Sequence, residues 1–269
     1  MIYEVCVDSV AGVRAAKAAG ADRVELCADL LEGGITPSLG MTRQARAVDG
    51  IRIHVMIRPR GGDFVFDGDE FAIMRADIET AKLEGADGVV IGVLTADGEI
   101  DTERTGDLLS LARPLSVTFH RAFDMTSDPL RALKALVDLG VDRVLTSGQE
   151  ATVLEGLPLL TELFKLASDR IVVMPGGGIT SRNVGRVVDV LKPKEVHFAA
   201  LQPVSSPMRF HRPHVFMGGE LRPPEYDRLD TSMDAVHAIM AETGLKISYS
   251  PRTADDCAGG PTPLHSREY

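Results

Sequence analysis

The chain has 269 residues, 44% of them hydrophobic, and a formal net charge of −10, with an isoelectric point near 5.2. That acidic balance argues against a nucleic-acid partner, which needs a basic face, and no apolar run approaches the roughly 20 residues of a membrane helix. Met1-Ile2-Tyr3-Glu4 is already strand-like, with no basic segment ahead of an apolar one. No secretory leader is therefore expected, and three cysteines point to reduced thiols in the cytoplasm rather than a disulfide framework.

Along the chain, short β-rich runs alternate with helical stretches. The runs are Ile2–Val7, Arg23–Cys27, Ile51–Ile57, Gly88–Leu94, Leu115–Phe119, Arg143–Thr146, Ile171–Met174 and Glu195–Phe198. Between them, helical periodicity shows at Val10–Ala19, Asp69–Glu84, Pro129–Leu139 and Thr152–Ala167. Gly-Ala-Asp or Gly-Val-Asp recurs at Gly20, Gly85 and Gly140, each time between a helix and a strand, where glycine supplies a left-handed cap. Eight such units predict a single (β/α)8 barrel. A doubly wound open sheet would carry a glycine-rich turn after its first strand, and Asp8-Ser9-Val10 is not one. The barrel is expected to occupy residues 1–245. Within it, Gln202–Tyr226, rich in Pro, Gly and His, reads as a long loop, and Thr231–Thr243 as a closing helix. Residues 246–269 read as a polar, disordered tail that includes Cys257, which is set aside as a site residue.

Barrel enzymes work at the C-terminal ends of their strands. Alternate strand residues share a face, so Glu4 with Cys6, and Glu25 with Cys27, present two soft thiols and two carboxylates. If the strands are neighbours, the thiols face one cavity. Strand three offers His54, Met56 and Arg58, then Arg60, Asp63 and Phe64. Strand five ends in His120-Arg121, followed by Asp124, and strand eight carries His197. Glu25, His120 and Asp124 are candidate proton-transfer groups. Arg58, Arg60 and Arg121, with backbone N–H groups of Gly176, Gly177 and Gly178, form a candidate anion site. Asp8 reads as an N-cap or anchor for the first helix. No His-x-x-x-His or Cys-x-x-Cys spacing signals zinc.

Taken together, the stretches Glu4-Val5-Cys6-Val7-Asp8-Ser9, Gly20 to Cys27, Glu32-Gly33-Gly34, Thr36-Pro37-Ser38, Met56 to Phe64, Val117 to Asp124, Arg143 to Gly148 and Met174 to Ile179 closely resemble the CutC copper homeostasis family over residues 2 to 245. The resemblance implies a TIM barrel, a cytoplasmic location and copper as the bound ion. Cys6 and Cys27 match the cysteines proposed in that family to hold Cu(I), with Met56 or His54 as a possible third ligand. It also suggests a homodimer, to which the 202–226 excursion would contribute. One departure is Phe198-Ala199-Ala200 after His197, where the family carries small residues, often Ser or Cys. Soft ligands suit Cu(I). A carrier, however, needs few polar residues beyond its ligands, and this mouth has many. The residues therefore also support an enzyme, a lyase or isomerase, acting on a small anionic or sugar-like substrate.

Overall fold

A computed structural model describes residues 1–217 and 225–244. The expected tail, with Cys257, lies outside the described residues. Strands β1 (Ile2–Val7), β2 (Arg23–Leu26), β3 (Arg52–Met56), β4 (Gly88–Ile91), β5 (Ser116–Phe119), β6 (Arg143–Thr146), β7 (Val172–Pro175) and β8 (Glu195–Ala199) are joined through helices α1 (Val10–Ala18), α2 (Leu39–Arg46), α3 (Gly68–Leu83), α4 (Thr102–Ala112), α5 (Pro129–Leu139), α6 (Leu157–Ala167) and α7 (Val184–Leu191). The sheet is parallel, in the order β7-β6-β5-β4-β3-β2-β1-β8. This is a nearly closed (β/α)8 barrel, as expected. β7 and β8 lie side by side without a hydrogen-bonded ladder among the described residues, which leaves one seam.

The recurring Gly-x-Asp tripeptides have a definite job at the N-terminal rim. Gly20, Gly85 and Gly140 all take positive φ, where side-chain-bearing residues are strained. The aspartate two residues later then turns back to the preceding strand. Its carboxylate accepts the N–H of Tyr3 (Asp22, 2.8 Å), Ile53 (Asp87, 2.8 Å) or Val117 (Asp142, 2.7 Å). β1 is thereby tied to β2, β3 to β4, and β5 to β6. Before β8 the equivalent position is Lys194, and this pair carries the seam.

Helix starts follow side-chain caps. Asp67 and Glu70 form a reciprocal capping box at α3, and Asp128 with Pro129 opens α5. At α1 the cap is Ser9, accepting from Gly12 N–H at 2.8 Å, rather than Asp8. The 202–226 loop also needs correction. Leu201–Ser205 forms β9, antiparallel to β10 (Asp227–Thr231), and leads into α8 (Met233–Ala241). The isolated two-stranded ribbon tolerates Pro203, which would break a central strand. β10 packs on α1, where Ser9 bonds Asp230 at 2.5 Å, and Tyr3 reaches Thr243 at 2.6 Å.

The apolar core fills the space between sheet and helices, with Val5, Val24, Ile53, Val89, Val117, Val144 and Val196 all buried on outward strand faces. The inward faces are different. A TIM barrel usually fills its centre with stacked layers of branched apolar side chains. Here the alternation puts Arg23, Gly88, Arg143 and Glu195 in the first layer, and Glu4, His54, Thr118 and Met174 in the second. Glu25, Val90, Leu145 and His197 follow, and then Cys6 and Met56.

Candidate functional site

At the base of this polar column, Arg23, fully buried, bridges Glu4 and Glu195 and reaches Met174 Sδ at 3.4 Å. Arg143 Nε lies 3.0 Å from Glu195, and its guanidinium also donates to Ser116 Oγ at 2.7 Å. Buried charges of this kind persist only when paired and hydrogen-bonded, and here each has a partner. The sequence reading did not place Arg23, Arg143 or Glu195 inside. The period of two that puts Glu25 and Cys27 on one face puts Arg23 there as well, so the signal was present.

One layer up, His197 Nδ1 stands 2.8 Å from Glu4 Oε1, and its Nε2 lies 3.9 Å from Glu25 Oε2. Glu25 Oε2 is 3.2 Å from Cys6 Sγ and 3.6 Å from Cys27 Sγ, and the two sulfurs are 3.8 Å apart. Both cysteines are free thiols and buried. Cys6, Glu25 and Cys27 form one cluster with donor atoms close enough for a single ion, and Glu4, Glu25 and His197 form a second. Met56 belongs to the same small buried cluster as the two cysteines, with Val90. His54 belongs one layer lower, with Nδ1 4.0 Å from Glu4 and its ring seated over Gly88.

The electrostatics divide the two thiols. Its hydrogen bond with Cys27, helped by the neighbouring His197 and Glu25, holds the Cys6 thiol down to about 5 against the opposing effect of burial. Cys27 is pushed up by the same Cys6 partner and by burial. Burial and the Cys6 charge raise Glu25. For His197, burial acts downward but is outweighed by Glu25, Cys6 and Glu4, so the imidazole is raised well above its usual value. These shifts favour the thiolate at Cys6 and the imidazolium at His197, and act against the charged forms of Cys27 and Glu25. Thiolate, not thiol, is the nucleophile and the metal ligand.

Above the thiols opens a cavity of about 110 Å³, lined by Cys6, Glu25, Met56, Arg58, Phe64, His120, Arg121, Leu145 and His197, among others. His120 is buried, and burial holds its imidazole down to about 3. Its Nδ1 accepts the Ala122 N–H at 3.1 Å. Its ring occupies the space that a side chain at Gly92 would fill, since a Cβ there would come within 2.3 Å of Cε1. Phe64, expected at the mouth, is among the lining residues, whereas Gly92 escaped the sequence reading.

The remaining candidates fall into place. Arg121 Nε pairs with Asp124 at 2.7 Å, and its guanidinium flanks Gly177 and bonds Ser147 Oγ at 2.8 Å. Asp124 accepts from Thr146 Oγ1, Ser147 N–H and Oγ, Gln149 N–H and Arg121, so its carboxylate ties the β5 and β6 loops together. Arg60 turns to Asp63 at 3.1 Å and to Glu70, and is not among the residues lining the cavity. Gly176 gives its N–H to Thr146 O at 3.0 Å. The Thr180–Asn183 turn separates Gly178 from the start of α7.

The family model that matches residues 1–202 is that of the CutC family. The chain belongs to the CutC family. The human "Copper homeostasis protein cutC homolog" is 49% identical over 240 residues, covering 89% of this chain and 88% of its own. A CutC family protein of Mesorhizobium japonicum is 50% identical over 240 residues, covering 89% and 93%. Among solved structures, CutC from Streptococcus agalactiae superposes with a TM-score of 0.70 at 36% identity, covering 74% of this chain and 98% of that one. Phosphoribosylanthranilate isomerase of Thermotoga maritima, at 14% identity and a TM-score of 0.56 over 91% of this chain and 100% of its own, shares the fold. No helix among the described residues of this CutC-family chain is long and apolar enough to cross a membrane.

Proposed function

We propose that this chain binds copper as Cu(I) through Cys6 and Cys27, with Met56 as the adjacent thioether, as part of copper homeostasis. The observation that carries this reading is the 3.8 Å separation of the two sulfurs. Two thiolates on one ion at about 2.3 Å each need sulfurs no more than about 4.6 Å apart. Two cysteine sulfurs and a thioether make the soft donor set that selects Cu(I), with the Cys27 proton released as the ion binds. His197 and Glu25 hold the sulfurs from behind, the arrangement by which outer partners orient metal ligands. His54 lies a layer below and is the weaker candidate for a third ligand. Free buried thiols agree with a reducing cytoplasm. We further propose a homodimer that uses the excursion after β9, where Met208, Phe210 and Met217 are exposed at 57%, 65% and 85%.

The test is a Cu(I) competition titration against a chromophoric chelator. The Cys6→Ser, Cys27→Ser double variant should lose more than about 100-fold in affinity, the upper end of what outer partners alone are worth. Full affinity in that variant refutes the assignment.

A further inference from the structure

Copper binding uses the floor of the cavity and leaves its upper wall unexplained. Three buried polar atoms of its lining residues have no hydrogen-bond partner: His120 Nε2, Arg58 Nε and, at the floor, Glu25 Oε1. Their residues are 4%, 6% and 3% exposed, and all three line the same cavity. Buried polar atoms are almost always satisfied, and leaving one unpaired is expensive.

The chemistry of each atom is settled by its neighbours. His120 Nδ1 accepts the Ala122 N–H, so the neutral ring carries its proton on Nε2 and that atom is a donor. The Nδ1–Cε1 edge rests over Gly92, and His120 is among the residues that line the cavity. The terminal nitrogens of Arg58 are spent on the carbonyls of Glu32 (2.7 Å), Gly34 (3.1 Å) and Gly62 (2.9 Å). Its Nε–H remains, and no carboxylate lies within 4.0 Å of this buried guanidinium among the described residues. Both groups stand beside Phe64: Arg58 Cζ is 5.0 Å and the His120 ring centroid 5.1 Å from its ring centroid. Glu25 Oε2 faces the sulfurs, so Oε1 is the free oxygen.

We infer that this cavity is a binding site for a small 2-hydroxycarboxylate. Its carboxylate neutralises Arg58 and accepts the Nε–H. Its hydroxyl accepts from His120 Nε2–H and donates to Glu25 Oε1. A 2-oxo acid lacks the donor, a simple carboxylate lacks the hydroxyl, and a polyol lacks the charge. Half-buried Phe64 closes over the organic face. A single water needs roughly 10–15 Å³, so about 110 Å³ holds a small organic acid. The inference stands on atoms that the copper reading does not use.

Calorimetric titration of metal-free, thiol-reduced full-length protein with lactate, glycolate, pyruvate, acetate and glycerol tests this, with Cu(I) titrated separately. Lactate or glycolate should bind at least about tenfold tighter than the other three, the cost of leaving a buried partner unpaired. His120→Phe should erase that margin. No heat from either hydroxy acid at millimolar concentration, or acetate binding as well as lactate, overturns the assignment whatever copper does. If His120→Phe does not fold, proton–nitrogen correlation spectra of the wild-type histidine rings decide the matter. The His120 Nε2–H resonance should move when lactate is added, and a resonance that stays in place overturns the proposal.

Discussion

His197 Nδ1 lies 2.8 Å from Glu4 Oε1, across 193 positions of sequence. That contact joins two systems: the Arg23–Glu195–Arg143 network at the base of the barrel, and the Cys6–Glu25–Cys27 cluster above it. It holds a cation beside the Cys6 sulfur, and so links the ion pairs of the barrel floor to the reactivity of a thiol at its mouth.

Replacing His197 with Ala should raise the Cys6 thiol from about 5 toward the ordinary cysteine value near 8.5. The pH dependence of alkylation, measured in a Cys257→Ser background, reads this directly. Wild type should react through a thiolate already formed at neutral pH, and the variant should need alkaline conditions. An unchanged profile removes His197 from the account.

Among the described residues, Glu195→Gln takes away the only carboxylate paired with Arg143 and one of the two paired with Arg23. Breaking a buried pair from one side costs about 3–5 kcal/mol. At roughly 2–4 °C per kcal/mol for a domain of this size, calorimetry should record a melting temperature lower by about 10 °C. A change under about 2 °C would mean the column contributes little to stability.

Much of this was legible from alternation. The limits of β1 and β6 match the expected runs residue for residue, because strongly apolar segments bounded by turns leave little choice. Cys6 and Cys27 were placed on one cavity by the same rule. What escaped was long-range. Alternation puts Arg23 on the inward face, but that an arginine can stay there depends on its partners Glu4 and Glu195, the second of them 172 positions away. Helix α6 begins at Leu157 rather than Thr152. The Val153 N–H bonds the Gly177 carbonyl at 2.9 Å, so this stretch is spent packing against the glycine loop. Gly92 looks like an ordinary strand-end glycine until the imidazole it accommodates is in view.

Acid should destabilise the protein earlier than its carboxylates alone would. Burial holds both His54 and His120 down to about 3, against about 6.5 unfolded. A base depressed in the folded state contributes stability that is fully present above the unfolded value and is lost as pH falls from there toward the folded one. Each histidine then costs up to about 1.4 kcal/mol per pH unit below about 6.5. Urea midpoints measured from pH 7 to 4 should fall, and His54→Gln should flatten part of that slope. Equal slopes would rule His54 out as a contributor.

The proposed dimer makes a simple demand. Phe210→Asp puts a charge in the exposed apolar stretch after β9 and should yield particles near the 28.9 kDa chain mass in light scattering, where wild type gives about twice that. A wild-type monomer at micromolar concentration refutes the assembly.

Lys194 stands where Asp22, Asp87 and Asp142 stand before the other even strands, so the last strand pair lacks both tether and ladder. Opening the barrel there breaks no sheet hydrogen bonds, whereas parting any other pair of strands breaks a run of them. In backbone hydrogen bonds, a parting of β7 from β8 therefore costs less than a parting of any other neighbouring strands among the described residues. Along that line Gly176 sits against the His197 ring, a Cβ at the glycine coming within 3.3 Å of Cδ2. A parting there would be felt at the imidazole beside the Cys6 sulfur, so the seam couples motion of the scaffold to the surroundings of the thiols.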